Sequence, residues 1–190
     1  MDAVEHMQRT TRDKLLDAAE SVVQREGVGR LTLDAVAREA GLSKGGVLYH
    51  FGTKDALIGA LVARLYETFE YDIERVVRVS PDEPGRWTRA YVTATVAPGP
   101  EQAELTREVS AGLLAAIATD PALLDPLRAR YDAWQERIEH DGIDPALATL
   151  VRLAVDGLWL ADLFGLAPPA RPLREKVLAA LYALTEESAT

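Results

Sequence analysis

LTLDAVAREAGLSKGGVLYHFGTKDALIGAL, residues Leu31 to Leu61, carries two short helical patterns on either side of a glycine turn, with a third, longer pattern close behind. Leu33, Val36, Ala37 and Ala40 recur at i, i+3, i+4 and i+7, one apolar face of a helix. Thr32 precedes them as an N-cap, its hydroxyl placed to accept a hydrogen bond from a backbone N–H that the helix leaves unpaired. Gly41 follows them and suits the left-handed residue that ends many helices. Leu42 is placed to plug the core between the two helices, and Ser43 caps the second, which runs through Lys44, Gly45, Gly46, Val47, Leu48, Tyr49, His50 and Phe51. A helix, a short turn containing Gly, and a second helix make a helix-turn-helix, the arrangement whose second helix enters the major groove of DNA.

Upstream, residues 1–9 read as an arm. Thr10 or Thr11 opens a helix that runs to about Glu26, with Leu15, Leu16, Ala19, Val22 and Val23 on its buried side and Gly27 and Gly29 as its stop. This helix is expected to pack across the pair and complete a three-helix unit. Downstream, Gly52 ends the second helix and Thr53 caps a long one, with Asp55 in the first turn, where the helix dipole favours negative charge. Ile58, Leu61, Val62, Leu65, Phe69, Ile73, Val76 and Val77 hold the helical period as far as Pro81. That is roughly 26 residues, or about 39 Å at 1.5 Å per residue. The turn Asp82-Glu83-Pro84-Gly85 breaks the pattern. Beyond it, helices are expected at about 86–97, 101–119, 122–140, 145–166 and 172–187, with Pro and Gly breaks between them. Period-two alternation is absent, so the expected fold class is all-α. Residues 1–53 are expected to form a helix-turn-helix DNA-binding domain, and residues 54–190 a helical regulatory and dimerisation domain joined through the long fourth helix.

Composition narrows the function classes. The chain has 190 residues, 48% of them apolar and 27% charged, which is the profile of a packed globular protein. No cysteine is present, so disulfides and thiolate metal sites are ruled out. The three histidines, His6, His50 and His140, are too scattered to suggest a zinc cluster. No metal and no other cofactor is expected. Asp2 and Glu5 make the N-terminus unlike a signal peptide. No apolar run approaches the roughly 18 residues needed to span a bilayer, so no membrane partner and a cytoplasmic location are expected. The net charge of −9 argues against DNA binding until its distribution is considered. Residues 1–54 hold eight basic and eight acidic side chains, which leaves the whole excess of acid to the remaining 136 residues. Such asymmetry suits a chain whose one end approaches phosphate and whose other end avoids it.

The helix-turn-helix stretch resembles the DNA-binding domain of the TetR family of bacterial transcriptional repressors. The resemblance rests on Thr32, Val36-Ala37, Ala40-Gly41-Leu42-Ser43, Gly45, His50-Phe51, Lys54 and Leu57, and covers roughly the first third of the chain. Such proteins usually carry a tyrosine where this chain has Leu48, and that tyrosine often touches a phosphate; Tyr49 and His50 are candidates to take over the contact. The resemblance also implies that the last two long helices pack against their copies in a four-helix dimer interface, to which Asp156-Gly157-Leu158-Trp159 looks similar. The alternative is that both are core of a single chain. A two-fold dimer would present two reading helices about 34 Å apart and read a palindromic operator on double-stranded DNA.

The candidate DNA-binding residues are Thr32, Ser43, Lys44, Gly45, Gly46, Tyr49, His50 and Lys54. Lys44 either reads guanine O6/N7 or neutralises a phosphate. Gly45 and Gly46 either let a bare backbone sit close to DNA or are tolerated by a first helical turn. Tyr49 and His50 could donate to phosphates, with a structural role as the other reading of His50. Lys54 and Thr32, at the starts of their helices, make a phosphate site with the backbone N–H groups there. Arg9, Arg12 and Lys14 either contact the DNA backbone or form a solvated face. Trp87, Tyr91, Trp134 and Trp159 are the candidate ligand-binding residues, either walls of an apolar cavity between helices or ordinary core.

The resulting expectation is a homodimeric one-component regulator, a repressor released from its operator when a small apolar or amphipathic ligand tilts the long fourth helix. Two other readings compete with it. One is the same fold without a ligand or acting through a protein partner. The other is an enzyme on a helical scaffold, for which no catalytic residue presents itself. Glu101, Glu104 and Glu108 share a helix face, but three surface carboxylates are usually just solvated.

Overall fold

The structure is a computed structural model, and it describes residues 10–96, 105–106, 108–110, 112 and 121–186. Helices dominate, and no β-sheet forms among the described residues. In chain order they are α1 (Thr11–Glu26), α2 (Leu33–Ala40), α3 (Lys44–His50), α4 (Lys54–Val79), α5 (Arg86–Val96), α6 (Asp125–Glu139), α7 (Pro145–Phe164) and α8 (Arg171–Leu184). Short 3-10 turns at Val28–Arg30 and Pro121–Leu124 precede α2 and α6. The helix expected at 101–119 lies mostly outside the described residues, and its described part is helical. No described helix is long and apolar enough to cross a membrane.

The chain divides into two compact units. The first takes the described residues up to Leu65 and those between 105 and 125; the second takes the remainder, so α4 contributes its first half to one and its second half to the other. In the first unit, α1 lays Leu15, Leu16, Ala19, Val22 and Val23 into a core shared with Val36, Val47, Phe51, Leu57 and Leu61, all nearly or fully buried. Leu42 does not join them. It follows the left-handed Gly41 (φ 65°) and is 38% exposed, while Leu31, just ahead of α2, is the fully buried leucine beside this helix pair. The turn at Gly41 directs the chain away from the core at that point.

In the second unit, Ile73, Trp87, Tyr91, Trp134, Ile138, Val151, Val155 and Leu181 form the core. One carboxylate from far along the chain starts α5. Asp141, between α6 and α7, accepts from the backbone N–H groups of Trp87 (3.1 Å) and Thr88 (2.7 Å) and from the Thr88 hydroxyl (2.8 Å). This satisfies donors that a helix N-terminus cannot pair internally.

Candidate nucleic-acid interface

Local chemistry shapes the helix pair. Thr32 is extended (φ −139°, ψ 154°), and its hydroxyl accepts from the Ala35 N–H at 3.1 Å, capping α2. Past Ala40, Leu42 N–H reaches the Ala37 carbonyl at 2.9 Å, closing the glycine turn. Ser43 repeats the cap for α3, accepting from the Gly46 N–H at 3.1 Å. Val47 and Phe51 pin the inner side of α3 to the core at 0% and 3% exposure. Arg12 sits 5.4 Å above the Phe51 ring, holding its charge on the surface of this unit.

The opposite side of α3 faces solvent. Tyr49 is 86% exposed and Leu48 43%. Tyr49 meets the half-buried His50 edge-on, with ring centroids 5.1 Å apart. Lys44 pairs with Asp34 across the turn at 3.0 Å, an exposed ion pair of the kind that contributes little to stability and yields readily to a better anion. Lys54 is half-buried and donates to the Val28 carbonyl at 3.3 Å, tying the 3-10 turn to the start of α4. Thr32, Ser43, Lys44, Gly45 and Tyr49 are thus all exposed near one helix pair, while Gly46, His50 and Lys54 are partly covered. Among the described residues, no cluster of side chains could hold a metal. Glu108, one of the three carboxylates considered for that role, instead accepts from the Val28 N–H at 3.3 Å; Glu101 and Glu104 lie outside the described residues.

In the second unit, three of the four candidate ligand residues come together. Tyr91 lies 5.7 Å from Trp87 and 5.9 Å from Trp134 between ring centroids. Phe69 touches both Tyr91 and Trp134 at 5.3 Å, and Tyr66 and Tyr131 complete the cluster around Trp134. Trp159 stands apart, half-buried on α7 and outside this set of ring contacts. Sequence reasoning missed the polar groups beneath the rings. Trp134 Nε1 donates to Glu70 at 3.1 Å, and Arg130 pairs with the same carboxylate at 2.6 Å. The Tyr91 hydroxyl donates to Asp156 at 2.7 Å, and Arg152 bonds Asp156 at 3.1 Å while lying over the Tyr131 ring. Burial pushes the Asp156 carboxyl above its ordinary range, with Tyr91 and Arg152 pulling the other way. Burial likewise raises Tyr66 to about 12 and moves Tyr91 and Tyr131 upward. The available signal for Tyr66 and Phe69 was their shared face with Ile73 at i, i+3 and i+7. Asp156 gave none, because its motif resembled an interface sequence.

Trp87 also borders a separate hollow of about 550 Å³ with Arg86, Arg137, His140 and Asp141, which neither Tyr91 nor Trp134 lines.

Two family profiles account for most of the chain. "Bacterial regulatory proteins, tetR family" matches residues 15–61, and "Tetracyclin repressor-like, C-terminal domain" matches residues 85–186, more than half of the sequence. The chain belongs to the TetR family. It is a helix-turn-helix transcriptional regulator, and not an enzyme. The HTH-type transcriptional regulator TtgR of Pseudomonas putida is 38% identical over 61 residues, a match that spans 32% of this chain and only 29% of TtgR. A transcriptional regulator from Rhodococcus sp. Rha1 shares the fold at 24% identity, with a TM-score of 0.70 over 93% of this chain and 95% of the other. The multidrug binding protein EbrR, in complex with ethidium, is 28% identical, with a TM-score of 0.63 over 90% of this chain and 97% of its own.

Proposed function

We propose that this TetR-family protein works as a cytoplasmic homodimer that represses transcription from a palindromic operator and lets go when a small apolar or amphipathic molecule binds its second unit. The observation that carries the reading is a stripe on α7. Ala146, Leu150, Leu153, Gly157, Leu160 and Phe164 are the exposed members of one face, spaced alternately four and three residues apart, and none is charged. A seam with that spacing fits a facing helix, and a Cβ added at Gly157 would meet nothing within 4 Å, so a partner backbone could come close there. Leu173 on α8, 57% exposed, adds to the apolar surface. A second copy on this seam duplicates the reading helix, and a duplicated reader recognises an inverted repeat.

The contacts to DNA are assigned to Thr32, Ser43, Lys44, Gly45, Gly46, Tyr49, His50 and Lys54. The ligand role is assigned to Trp87, Tyr91 and Trp134, supported by their meeting in one aromatic cluster and by the ethidium complex of EbrR. Trp159, off the cluster, is left out of it.

The deciding experiment is selection of binding sites from random duplex DNA by the purified protein at near-physiological salt. Enrichment of an inverted repeat with half-sites about one helical turn apart is the expected result. Recovery of only scattered, salt-sensitive sequences would sink the reading. Adding candidate amphipathic aromatics to the protein–operator complex should then release the DNA; calorimetric binding without release would leave a ligand-binding protein with another mode of control.

A further inference from the structure

The solvent side of α3 says which base the helix favours, given that it is the helix that reads DNA. Of its residues, Val47 is buried in the core, and Gly45 and Gly46 carry no side chain. Lys44, at the first position of the helix, keeps the DNA contact already assigned to it, exchanging its exposed pair with Asp34 for an anion. What remains for a groove floor is mostly apolar: Leu48, 43% exposed, Tyr49, 86% exposed, and the half-buried His50 against the Tyr49 ring. At 100° per residue, Tyr49 and Gly45 occupy the middle of the face opposite Val47 and Phe51, and Leu48 flanks them. Among the described residues, nothing accounts for a leucine and a tyrosine held in water side by side on a helix that buries its other apolar side chain, Val47.

We infer that Leu48 and Tyr49 read thymine, packing against its C5-methyl group in the major groove. The other recognition features of a base edge there are hydrogen-bond donors and acceptors, which Leu48 cannot engage; the thymine methyl is the apolar one. Bare Gly45, one turn before Tyr49, lets the helix approach until both side chains reach the base edges. Tyr49 at the centre of the face is therefore a base contact, and the phosphate role expected for it passes to residues on the flanks.

The test replaces thymines of the selected operator one at a time, in both half-sites, with deoxyuridine, which lacks only the methyl. The wild-type protein should lose about fourfold in affinity per half-site at one or two positions, the value of one buried methyl-sized group. Leu48→Ala and Tyr49→Ala should bind thymine and uracil operators alike, whereas Tyr49→Phe should keep both affinity and discrimination. Indifference of the wild type to uracil at every position overturns the inference while leaving specific operator binding intact. Full discrimination in both alanine variants overturns it as well. A uniform loss of affinity in Tyr49→Phe returns Tyr49 to a phosphate and overturns its share. If no operator is selected at all, the parent reading fails and this contact falls with it. Circular dichroism of these surface variants confirms that they fold.

Discussion

At Gly45 and Gly46 an added Cβ would meet only the Ser43 hydroxyl, at 3.9 and 3.5 Å, which is ordinary contact. The fold has no need of glycine at either position, yet glycine in a helix is less favourable than alanine by about 1 kcal/mol. Gly45→Ala and Gly46→Ala should each stabilise the DNA-free protein by about 0.5–1 kcal/mol, seen as a higher midpoint in urea. If bare backbone serves DNA contact, the same variants lose operator affinity; stabilisation with affinity unchanged would mark the glycines as bystanders. A second residue-scale effect lies at the start of α1. Thr10 accepts from the Asp13 N–H at 3.1 Å, and the Asp13 carboxylate accepts from the Thr10 N–H at 3.0 Å, a reciprocal box. The side-chain bond from the Thr10 hydroxyl, then its backbone bond, hold the Asp13 carboxyl below its ordinary value. Its contribution is therefore present above the unfolded carboxylate pKa and lost as pH falls through the lower folded value. Thr10→Ala should cost about 1 kcal/mol near neutral pH, with the deficit against wild type shrinking on acidification in urea melts. Caps such as Thr32 and Ser43 were legible in the sequence because their partners lie three residues away. The pairing of Lys44 with Asp34, ten residues off on another helix, was not.

For whole elements, legibility depended on whether an element explains itself. The periodicity of α1, α4 and α7 placed them within a few residues of their observed ends, and the glycine turn between α2 and α3 was correctly read from Gly41. The 3-10 turn at Val28–Arg30 was missed, since Gly27 and Gly29 resemble a plain stop. The start of α5 was placed at residue 86, as observed, but the carboxylate that caps it, more than 50 residues later in the chain, was not legible. Gly85 belongs to the same junction. Its φ is 76°, its N–H donates to the Asp141 carbonyl at 2.7 Å, and a Cβ there would lie 2.4 Å from the Thr185 carbonyl oxygen. Asp141→Ala, which strands three donors, should destabilise the protein by about 1–3 kcal/mol in urea unfolding. Gly85→Ala should be worse, because it adds a backbone collision to an unfavourable φ. By contrast Gly41→Ala, with a similar φ but open space around it, should cost only about 1 kcal/mol. Equal losses at the two glycines would argue against the collision.

Across the whole molecule, the fold class was readable because helical period and Pro–Gly punctuation run from end to end. The aromatic cluster was readable only as a list of rings. Which rings meet depends on three helices converging, and that is why Trp159 was grouped with Trp87, Tyr91 and Trp134 although it stands apart. The exposed seam on α7 was hidden for a related reason. Leu150, Leu153 and Leu160 look in sequence like Val151 and Val155, and only the packed structure separates the side facing the core from the side facing water. If that seam joins two copies, Leu153→Glu should shift the protein from dimer to monomer in sedimentation at micromolar concentration, with circular dichroism unchanged, and should abolish binding to the full operator. A dimer that survives Leu153→Glu and Leu160→Glu together would place the interface elsewhere.

All three tryptophans, Trp87, Trp134 and Trp159, belong to the second unit, and the first has none. Indole emission therefore watches one half of the protein only. A melt followed at tryptophan wavelengths reports the loss of the aromatic core, whereas far-ultraviolet ellipticity sums every helix. Coincidence of the two curves would show that the units unfold together, and an ellipticity loss without a change in emission would show the DNA-reading unit opening by itself. The protein thus carries a built-in optical label for its second unit, and a tryptophan introduced at exposed Tyr49 would supply the missing one for the first.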